Sequence, residues 1–476
     1  MTDVVGKLWG FCHTLRHDGI DYGDYIEQIT YLLFLKMADE KQIILPEGCD
    51  WKNLKEKSGV DLKEHYENLL RKLGKEKGIL GDIFAAAISR FQNPVNLKKL
   101  INLIDEIEWT DLGVDVKAHA YEGLLEKAAS EGKKGAGQYF TPRILIQSIV
   151  KVMKPDPRIH REFKICDPAA GSGGFLVSSY EWLMEQTKGG TLKREEVERI
   201  LKRTYYGTEL VHRPRRLALM NLLLHGIEGR IYLGDTLYEP DKGARFDVVL
   251  TNPPFGTKGA NQAPERDDFM VSTSNKQLNF VQHLMTILKP GGRAAIVLPD
   301  NCLFEEQAGE VFDYLMQDCN LHTILRLPRG TFTPYSAGVK ANVIFFAKSH
   351  PTENVWIYDA RSNVPGITKK DRPLSPLHFA EFEACYGDDP SAFSVKALEH
   401  RALMAQKCER LRKFHISEIK ERNFNLDIFW LKDEALDDAE NLPEVEDLAS
   451  DALTYLEAAA DEVQEILRFL GNGVKE

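Results

Sequence analysis

Cysteine is scarce in this sequence of 476 residues, and no two cysteines form a C-x-x-C pair. The seven cysteines are an odd number, are widely scattered, and have no histidines near them at the spacing of metal ligands. The pattern therefore argues against a disulfide framework and a structural zinc site, and buried or half-buried free thiols are expected. The cysteines are at positions 12, 49, 166, 302, 319, 385 and 408.

Long apolar runs and a secretion signal are also missing. No stretch of about eighteen or more apolar residues occurs, so the sequence predicts no membrane-spanning helix. The first residues, MTDVVGKLWGFCHTLRHDG, lack the basic and then apolar order of a secretory signal. A cytoplasmic protein without a membrane partner is expected.

An excess of basic residues is missing as well, since the net charge is −11. This balance argues against unaided binding to nucleic acid, because phosphates attract lysine and arginine. The acidic excess is confined to residues 431–476, which hold fourteen Asp and Glu against three Lys and Arg. Residues 1–430 hold 58 of each sign and are neutral as a whole. This body has room for basic patches, but tight binding to DNA is expected to require a partner.

Apolar residues recur at helical spacing from the start to about residue 131, as Ile26, Ile29, Leu33 and Met37 illustrate. The pattern predicts an all-α N-terminal domain over residues 1–130. The glycine-rich stretch 131–137 then interrupts the periodicity and is interpreted as a linker or loop.

Short β-like runs alternate with helical stretches over residues 131–430. Such alternation predicts an α/β domain with a mostly parallel, doubly wound sheet. Seven candidate strands are found, at residues 163–167, 205–209, 230–235, 246–252, 293–299, 323–327 and 342–348.

The acidic residues 431–476 are predicted to form a C-terminal helical tail. From about Pro443 the apolar residues follow a heptad-like seam, which suits packing on the same chain or on another chain. The spacing favours neither. The seam consists of Ala449, Ala452, Leu456, Ala459, Val463, Ile466 and Leu470.

A glycine-rich turn, DPAAGSGGF at residues 167–175, follows a candidate strand and opens a helical run. Glycines at such a turn allow a tight bend and the close approach of a nucleotide-like cofactor, although they also serve simply to pack a helix on a sheet. The dinucleotide pattern G-x-G-x-x-G is not met, because Leu176 is the third residue after Gly173. A carboxylate at Asp167 suits a cofactor that carries a positive sulfonium and an amine.

Two further acids end candidate strands, Glu209 in the second and Asp235 in the third. An acid at the end of the second strand can accept hydrogen bonds from both ribose hydroxyls, and one after the third can accept from an adenine amine. Either acid taken alone is an ordinary surface carboxylate. Together with Asp167 they indicate a cofactor site along one edge of the sheet.

The strongest motif is Asn252-Pro253-Pro254-Phe255, at the end of the fourth candidate strand. The paired prolines fix the turn rigidly, and the Phe255 ring offers a face on which a planar base can stack. A rigid turn closed by an aromatic plug is the structural alternative.

The chemistry that suits this motif is methylation of an aryl-type amine, whose nitrogen lone pair is delocalised into the ring. The amide oxygen of Asn252 and the carbonyl of Pro253 could accept both amine hydrogens and move the nitrogen towards tetrahedral geometry. The lone pair would then point at the sulfonium methyl. Neither a general base nor a metal is needed.

The heptapeptide GQYFTPR, residues 137–143, precedes a helical run. Thr141 and Pro142 suit N-cap and first-turn positions, and the aromatics Tyr139 and Phe140 could close over a cofactor. A plain helix start is the alternative. Basic residues that could contact phosphates, or that are simply solvated, are Lys133, Lys134, Arg213, Arg215, Arg216, Lys369 and Lys370.

These motifs together resemble the modification (methyltransferase) subunit of type I restriction-modification systems, among the amino-group DNA methyltransferases. The resemblance covers most of the chain and implies a Rossmann-like class I methyltransferase fold with a seven-stranded mixed sheet. It implies a site-specific, adenine-specific DNA methyltransferase that transfers the methyl group of S-adenosylmethionine to N6. The matching segments are 137–143, DPAAGSGG at 167–174, Glu209, 252–255, VLPD at 297–300 and GVKANVIFF at 338–346.

The resemblance also implies which residues bind. Asn252, Pro253, Pro254 and Phe255 would hold an adenine flipped out of double-stranded DNA. Asp235 would lie near the adenine of the cofactor. About forty residues separate Asp167 from Glu209, where roughly twenty is usual, and residues 189–203 are interpreted as an extra helix. The cofactor-binding residues would be Gln138, Tyr139, Phe140, Thr141, Pro142, Arg143, Asp167, Gly171, Ser172, Gly173, Gly174 and Glu209.

The partners implied by the resemblance are a DNA-specificity subunit, with two methyltransferase chains for each specificity chain, and in some systems a translocating restriction subunit. The sequence is consistent with this dependence, because it has no zinc-finger or helix-turn-helix pattern. The C-terminal tail and residues 424–427 are hypothesised to dock on the specificity subunit.

Two alternatives stay open. A methyltransferase acting on glutamine amides of proteins faces the same lone-pair problem, but such enzymes usually carry tyrosine after the two prolines. A non-catalytic assembly scaffold is the other alternative, and the presence of all the expected acids and of Asn252 argues against it.

Overall fold

The computed structural model describes residues 10–11, 19–20, 22–40, 42–107, 109, 141–187, 192–255, 262–333, 339–368 and 371–431. The chain divides into two compact units, Met1–Ala295 and Ile296–Glu476. The domain boundaries predicted near residues 130 and 430 remain predictions. Within the described ranges, every helix is too short or too polar to cross a lipid bilayer.

The first unit begins with helices, and the stripe predicted from helical spacing lies on the first of them. Ile26, Ile29, Leu33 and Met37 are all buried there, so the prediction from their spacing is confirmed. The helices described up to residue 107 are α1 Tyr22–Glu40, α2 Trp51–Glu56, α3 Gly59–Leu73, α4 Ile79–Phe84 and α5 Pro94–Asp105.

An α/β arrangement follows in the same unit. Its strands lie in the order β3-β2-β1-β4-β5, and the pairs β3/β2, β2/β1 and β1/β4 are parallel. The elements are α6 Arg143–Met153, β1 Ile165–Asp167, α7 Gly174–Gln186, α8 Arg194–Arg203, β2 Tyr205–Glu209, α9 His212–Leu224, β3 Arg230–Leu233, β4 Phe246–Thr251, α10 Lys276–Ile287 and β5 Leu288–Pro299.

Strand β1 lies at the centre of these strands, with β2 on one side and β4 on the other. All three of its residues are buried, as expected for a parallel strand covered on both faces. The strand order reverses at β1, so the carboxyl ends of β1 and β4 border a crevice of the kind that binds ligands in open α/β sheets. The fold therefore places Asp167 and the residues after Thr251 at one edge.

The boundary between the two units falls within β5, between Ala295 and Ile296. The strands of the second unit follow the order β5-β7-β6-β8-β9; β6 is antiparallel to β7 and parallel to β8, and β8 is antiparallel to β9. The elements after β5 are a 3-10 helix Asp300–Leu303, α11 Glu306–Asp318, β6 Asn320–Arg326, β7 Ala341–Ala347, β8 Asn354–Asp359, α12 Leu377–Tyr386, α13 Val395–Lys407, β9 Leu411–His415 and α14 Ile416–Glu421.

The strand count corrects the sequence prediction, because the described residues contain nine strands and not seven. The seven predicted strands are all present, and β8 and β9 were missed. Only Leu411 and Phe414 of β9 are buried, so its exposed arginine, lysine and histidine hide the pattern of a strand. The mixture of parallel and antiparallel pairs agrees with the predicted mixed sheet. The predicted extra helix is present as α8.

Candidate active site

The residues predicted to bind the cofactor and the target base lie at the ends of adjacent parallel strands. Asp167 ends β1 and Glu209 ends β2, while Asn252 directly follows β4. The strand register pairs Asp167 with Gly207 and Cys166 with Val249, so the three strands end at a similar level. Parallel strands point their carboxyl ends the same way, and the three polar side chains therefore share one edge.

The glycine-rich turn after β1 adopts a backbone that favours glycine. Gly171 has a φ of 52° and Gly173 a φ of 79°, both in the left-handed region. A Cβ on Gly173 would lie 3.3 Å from the Cβ of Ala218 on α9. The Nδ2 of Asn221, also on α9, donates to the backbone carbonyl of Ser172 over 3.1 Å. The turn is thus shaped against α9 at two successive residues.

Asp167 is a buried carboxylate with two hydrogen-bond donors. Its Oδ1 accepts from Oγ1 of Thr251 at 2.8 Å and from the backbone N–H of Ala169 at 3.1 Å. Burial raises the pKa of Asp167 to about 7, the two hydrogen bonds oppose that rise, and the charge of Glu209 adds to it. The carboxyl group therefore gains or loses its proton near neutral pH.

Glu209 holds the turn to the end of its own strand. Its Oε2 accepts from the backbone N–H of Gly171 at 2.9 Å, and its Oε1 accepts from that of Val211 at 2.9 Å. Burial raises the pKa of Glu209 above its ordinary value, and these backbone hydrogen bonds limit the rise. Each carboxylate oxygen has a second lone pair with which it could accept a ribose hydroxyl.

Among the residues that the structure describes, the Asn252 amide makes a hydrogen bond through its nitrogen and none through its oxygen. Its Nδ2 donates to Oγ1 of Thr141 at 2.9 Å. Its Oδ1 is shielded from solvent and has no donor among the residues that the structure describes. A buried acceptor without a donor is costly, so a donor from outside the chain would be stabilised there. Asn221 and Asn342 have such an oxygen too, and Asn252 is distinguished by its place at the strand-end edge that it shares with Asp167.

The third residue of the motif is held by α10. The Nε2 of Gln277 donates to the backbone carbonyl of Pro254 at 2.8 Å. Pro253 is buried, Pro254 is exposed, and Phe255 is half-buried. The turn is therefore fixed at Pro254. Gln277 was not predicted from the sequence, because nothing in its local pattern distinguishes it.

The predicted segment 138–143 is described only in part, because Gln138, Tyr139 and Phe140 lie outside the described residues. The prediction that Thr141 caps the helix is wrong by one position, since Pro142 is the N-cap of α6. The physical reason is that Pro142 has a ψ of 129°, outside the helical range, while its carbonyl already accepts from the Ile146 N–H. Arg143 pairs with Glu181 on α7 at 2.6 Å, which ties two helices of the first unit together.

Asp235 follows β3 and organises its own turn. Its Oδ1 accepts from the backbone N–H groups of Leu237 at 3.0 Å and Tyr238 at 3.2 Å. Asp235 also borders a cavity of about 410 Å³, which residues of β2 and β3 such as Tyr206 and Tyr232 line. The structure thus places Asp235 on the wall of a cavity whose lining does not include Asp167, Glu209 or Asn252.

The arginines proposed to contact phosphates are engaged within the protein. Arg215 and Arg216 are buried, so both the phosphate-contact and the solvated-charge interpretations are wrong for them. Arg215 pairs with Asp82 at 3.0 Å, and the Nε of Arg216 donates to the Ile83 carbonyl at 2.6 Å. The neighbouring Arg213 lies 3.6 Å from Asp24, while the four predicted lysines at 133, 134, 369 and 370 lie outside the described residues.

The chain matches known protein families and characterised proteins. A family model for N-6 DNA methylase matches residues 113–435, and a model described as the HsdM N-terminal domain matches residues 4–42. The sequence is 39% identical to the type I restriction enzyme StySJI methylase subunit of Salmonella typhimurium strain LT2, over 99% of this chain and 96% of that protein.

Two solved structures are similar over almost the whole chain. One is a chain from a study of complex assembly and conformational transition of the type I R-M system, with a TM-score of 0.75 and 27% identity over 100% of this chain and 99% of that chain. The other is the crystal structure of the M protein of type I restriction enzyme EcoKI, with a TM-score of 0.55 and 35% identity. That match covers 98% of this chain and 96% of the EcoKI protein, whose methylase subunit comes from Escherichia coli strain K12.

Proposed function

The chain belongs to the N-6 DNA methylase family, among the methylase subunits of type I restriction enzymes, and from this premise we propose how its site works. The strand-end acids and the glycine-rich turn would bind S-adenosylmethionine. Asn252 to Phe255 would hold an adenine of double-stranded DNA. The reaction would transfer a methyl group to N6 of that adenine.

The observation that carries the proposal is the Oδ1 of Asn252, a shielded acceptor without a donor among the described residues. An adenine N6 amine brings two N–H donors and can give one of them to this oxygen. The Pro253 carbonyl is the natural acceptor for the second hydrogen. Two acceptors that pull on both hydrogens favour a tetrahedral nitrogen, which frees its lone pair for attack.

The described residues fit S-adenosylmethionine by their chemistry. The buried carboxylate of Asp167 suits a positively charged group, the free lone pairs of Glu209 suit two ribose hydroxyls, and Gly173 lets the turn approach a ligand closely. Asp235 would recognise the adenine amine of the cofactor. When bound, the cofactor supplies an electrophilic methyl group. The chain's own residues orient the amine, exclude water and stack the base on Phe255.

The affinity for S-adenosylmethionine is expected to depend on pH through Asp167. Because burial raises the pKa of its carboxyl to about 7, the free protein must lose a proton below that pH before a cation can bind. Affinity should therefore be nearly constant above about pH 8 and fall about tenfold between pH 8 and pH 6. Isothermal titration across this range measures the effect.

The matched control is Asp167→Asn, whose amide oxygen can still accept from Thr251 and Ala169. It should bind the cofactor weakly at every pH and lose most of the pH dependence. A binding profile with the same pH dependence in the variant as in wild type would show that another group controls binding.

The raised pKa of Asp167 also means that the folded chain without cofactor loses stability as the pH rises from about 4 through about 7.

Gly173→Ala is expected to weaken cofactor binding about tenfold or more. The left-handed φ of 79° strains any side chain by about 1–2 kcal/mol, and the new Cβ would press on Ala218. Relief of this strain moves the turn that holds the cofactor. Binding is measured by titration and the free energy of unfolding by chemical denaturation.

Gly226→Ala is the matched control for the glycine variant. Gly226 has a φ of 75° but nothing within 4 Å of the position of an added Cβ. Both variants should lose similar stability from backbone strain, while only Gly173→Ala should lose cofactor affinity. Equal cofactor affinities in the two variants would contradict a role for the turn in binding.

The proposed reaction is tested by methyl transfer from labelled S-adenosylmethionine, with the chain purified together with the subunits that accompany it. Genomic DNA and a mixture of proteins are supplied as separate substrates. Label recovered as N6-methyladenine supports the proposal. Label recovered on glutamine amides of protein would overturn it, as would cofactor binding without any turnover.

The partners in the proposal are a DNA-specificity subunit, with two chains of this protein for each specificity chain, and a restriction subunit. Within the second unit, Leu426 is buried and its N–H donates to the Leu303 carbonyl at 2.9 Å, while Asp427 lies 3.6 Å from Arg326. Asn425 is also engaged, since its Oδ1 accepts from the Asp427 N–H at 2.9 Å. The docking of residues 424–427 on the specificity subunit remains a proposal. The acidic tail lies outside the described residues, and recovery of a stoichiometric complex after deletion of residues 443–476 would refute its role.

A further inference from the structure

The hydrogen bond between Asn252 and Thr141 joins the substrate motif to the start of α6, across 111 positions of sequence. We infer that Thr141 is a positioning residue, whose hydroxyl holds the Asn252 amide with its oxygen towards the target amine. The inference rests on the proposed function, in which Asn252 accepts from adenine N6. It assigns Thr141 to the orientation of the substrate amine, in place of the cofactor role that the resemblance implies for it.

An asparagine amide presents either an acceptor or two donors, depending on the rotation of its last bond. In the observed rotation the Nδ2 is used by Thr141 and the Oδ1 remains available. The opposite rotation would turn the two N–H donors of Asn252 towards the N–H donors of adenine. The Thr141 hydroxyl can donate as well as accept, so the hydrogen bond fixes the plane and the position of the amide rather than its rotation alone. Methyl transfer requires the amide to be held there with its Oδ1 available, as observed.

The position of the Thr141 hydroxyl is itself well determined. Pro142 occupies the N-cap of α6 and its carbonyl accepts from the Ile146 N–H at 3.1 Å, so the threonine hydroxyl is not used for capping. Arg143 then anchors the first turn of α6 to Glu181. The Pro142 cap and the Arg143–Glu181 pair both fix the start of the helix that Thr141 precedes. They give the Thr141 hydroxyl a defined place beside Asn252.

Thr251, the residue before Asn252, likewise makes a side-chain hydrogen bond, but to Asp167 in the proposed cofactor site. The Oγ1 of Thr251 donates to Asp167, while the Nδ2 of Asn252 donates to Thr141. The two last positions of this strand region therefore reach different partners. Loss of the Thr141 hydroxyl should disturb Asn252 and leave the Asp167 carboxylate unaffected.

The test compares Thr141→Val, which removes the hydroxyl at nearly constant volume, with Thr141→Ser, which retains it. Both are purified with their accompanying subunits and checked for an unchanged thermal midpoint. The single-turnover rate of adenine methylation at saturating cofactor and DNA should fall about 10- to 100-fold in Thr141→Val. It should stay within about threefold in Thr141→Ser, and cofactor affinity should change less than about twofold in both.

The outcomes separate this inference from the proposed function. If wild type methylates DNA, Asn252→Ala does not, and Thr141→Val keeps the wild-type rate, the inference is wrong while the function stands. Equal losses in the valine and serine variants would also overturn it, because packing and not the hydroxyl would then matter. A loss confined to cofactor affinity would assign Thr141 to the cofactor site instead. Should the valine variant fail to fold, Thr141→Cys, with a weak acceptor of similar size, replaces it.

Discussion

Asn252→Ala should lower the single-turnover rate of adenine methylation by about a thousandfold or more, at saturating cofactor and DNA. The substitution removes the shielded Oδ1, the acceptor that we propose for the N6 amine. Without it the nitrogen lone pair stays delocalised in the ring and the amine is free to rotate away. The rate is measured with a labelled methyl group and a short DNA duplex.

Cofactor affinity provides the internal control for this variant. Asn252 makes its hydrogen bond to Thr141, whereas Thr251 contacts Asp167, so the cofactor should bind within about twofold of wild type. Asn252→Asp should lose less activity than Asn252→Ala, because a carboxylate still accepts from the amine. An alanine variant that kept a tenth of the wild-type rate would remove Asn252 from the reaction.

The positions of the site residues could be predicted from the sequence because they depend on local patterns. Asp167, Glu209 and Asn252 all end or follow strands that apolar runs identify, and parallel pairing gathers such ends at one edge. The hydrogen bond from Asn252 to Thr141 could not be predicted in this way. It joins residues 111 positions apart, and no local pattern specifies a contact at such a separation.

Strands can be predicted from the sequence only where burial makes them apolar. The α/β fold and all seven predicted strands were confirmed, because buried strands read as apolar runs. Strand β9 was missed since it has β8 as its single partner among the described strands and exposes Arg412, Lys413 and His415 to solvent. Its pairing partner, and not its composition, makes it a strand. Strand β8 did contain a signal, the apolar run Val355 to Tyr358, which was overlooked.

The arginines of α9 were misjudged for a related reason. A basic cluster in a sequence predicts a surface that attracts phosphate, because isolated charges are seldom buried. Arg216 is buried, since Glu27 on α1 supplies the opposite charge and the Tyr31 ring lies 5.0 Å from the guanidinium carbon. Compensation of this kind comes from a distant part of the chain.

Arg216→Met should therefore lower the free energy of unfolding by about 3–5 kcal/mol. The substitution leaves the Glu27 carboxylate without its positively charged partner. The backbone carbonyls of Ile83 and Ala85 also lose the hydrogen bonds that they accept from the Arg216 guanidinium. A buried charge that loses its partner costs far more than an exposed one. Chemical denaturation measures the change, and the alkyl chain of methionine keeps the packing close to that of arginine.

Two controls make the expected loss specific. Arg213→Met, on the same helix, should cost less than about 1 kcal/mol, because Arg213 is 36% exposed and lies 3.6 Å from Asp24. Adding Glu27→Gln to Arg216→Met should recover part of the loss, since no buried charge then remains unpaired. A single Arg216 variant as stable as Arg213→Met would show that this buried pair is not what attaches the N-terminal helices to α9. Because α9 also packs against Gly173 and donates from Asn221 to Ser172, the same variant should weaken cofactor binding if the attachment is real.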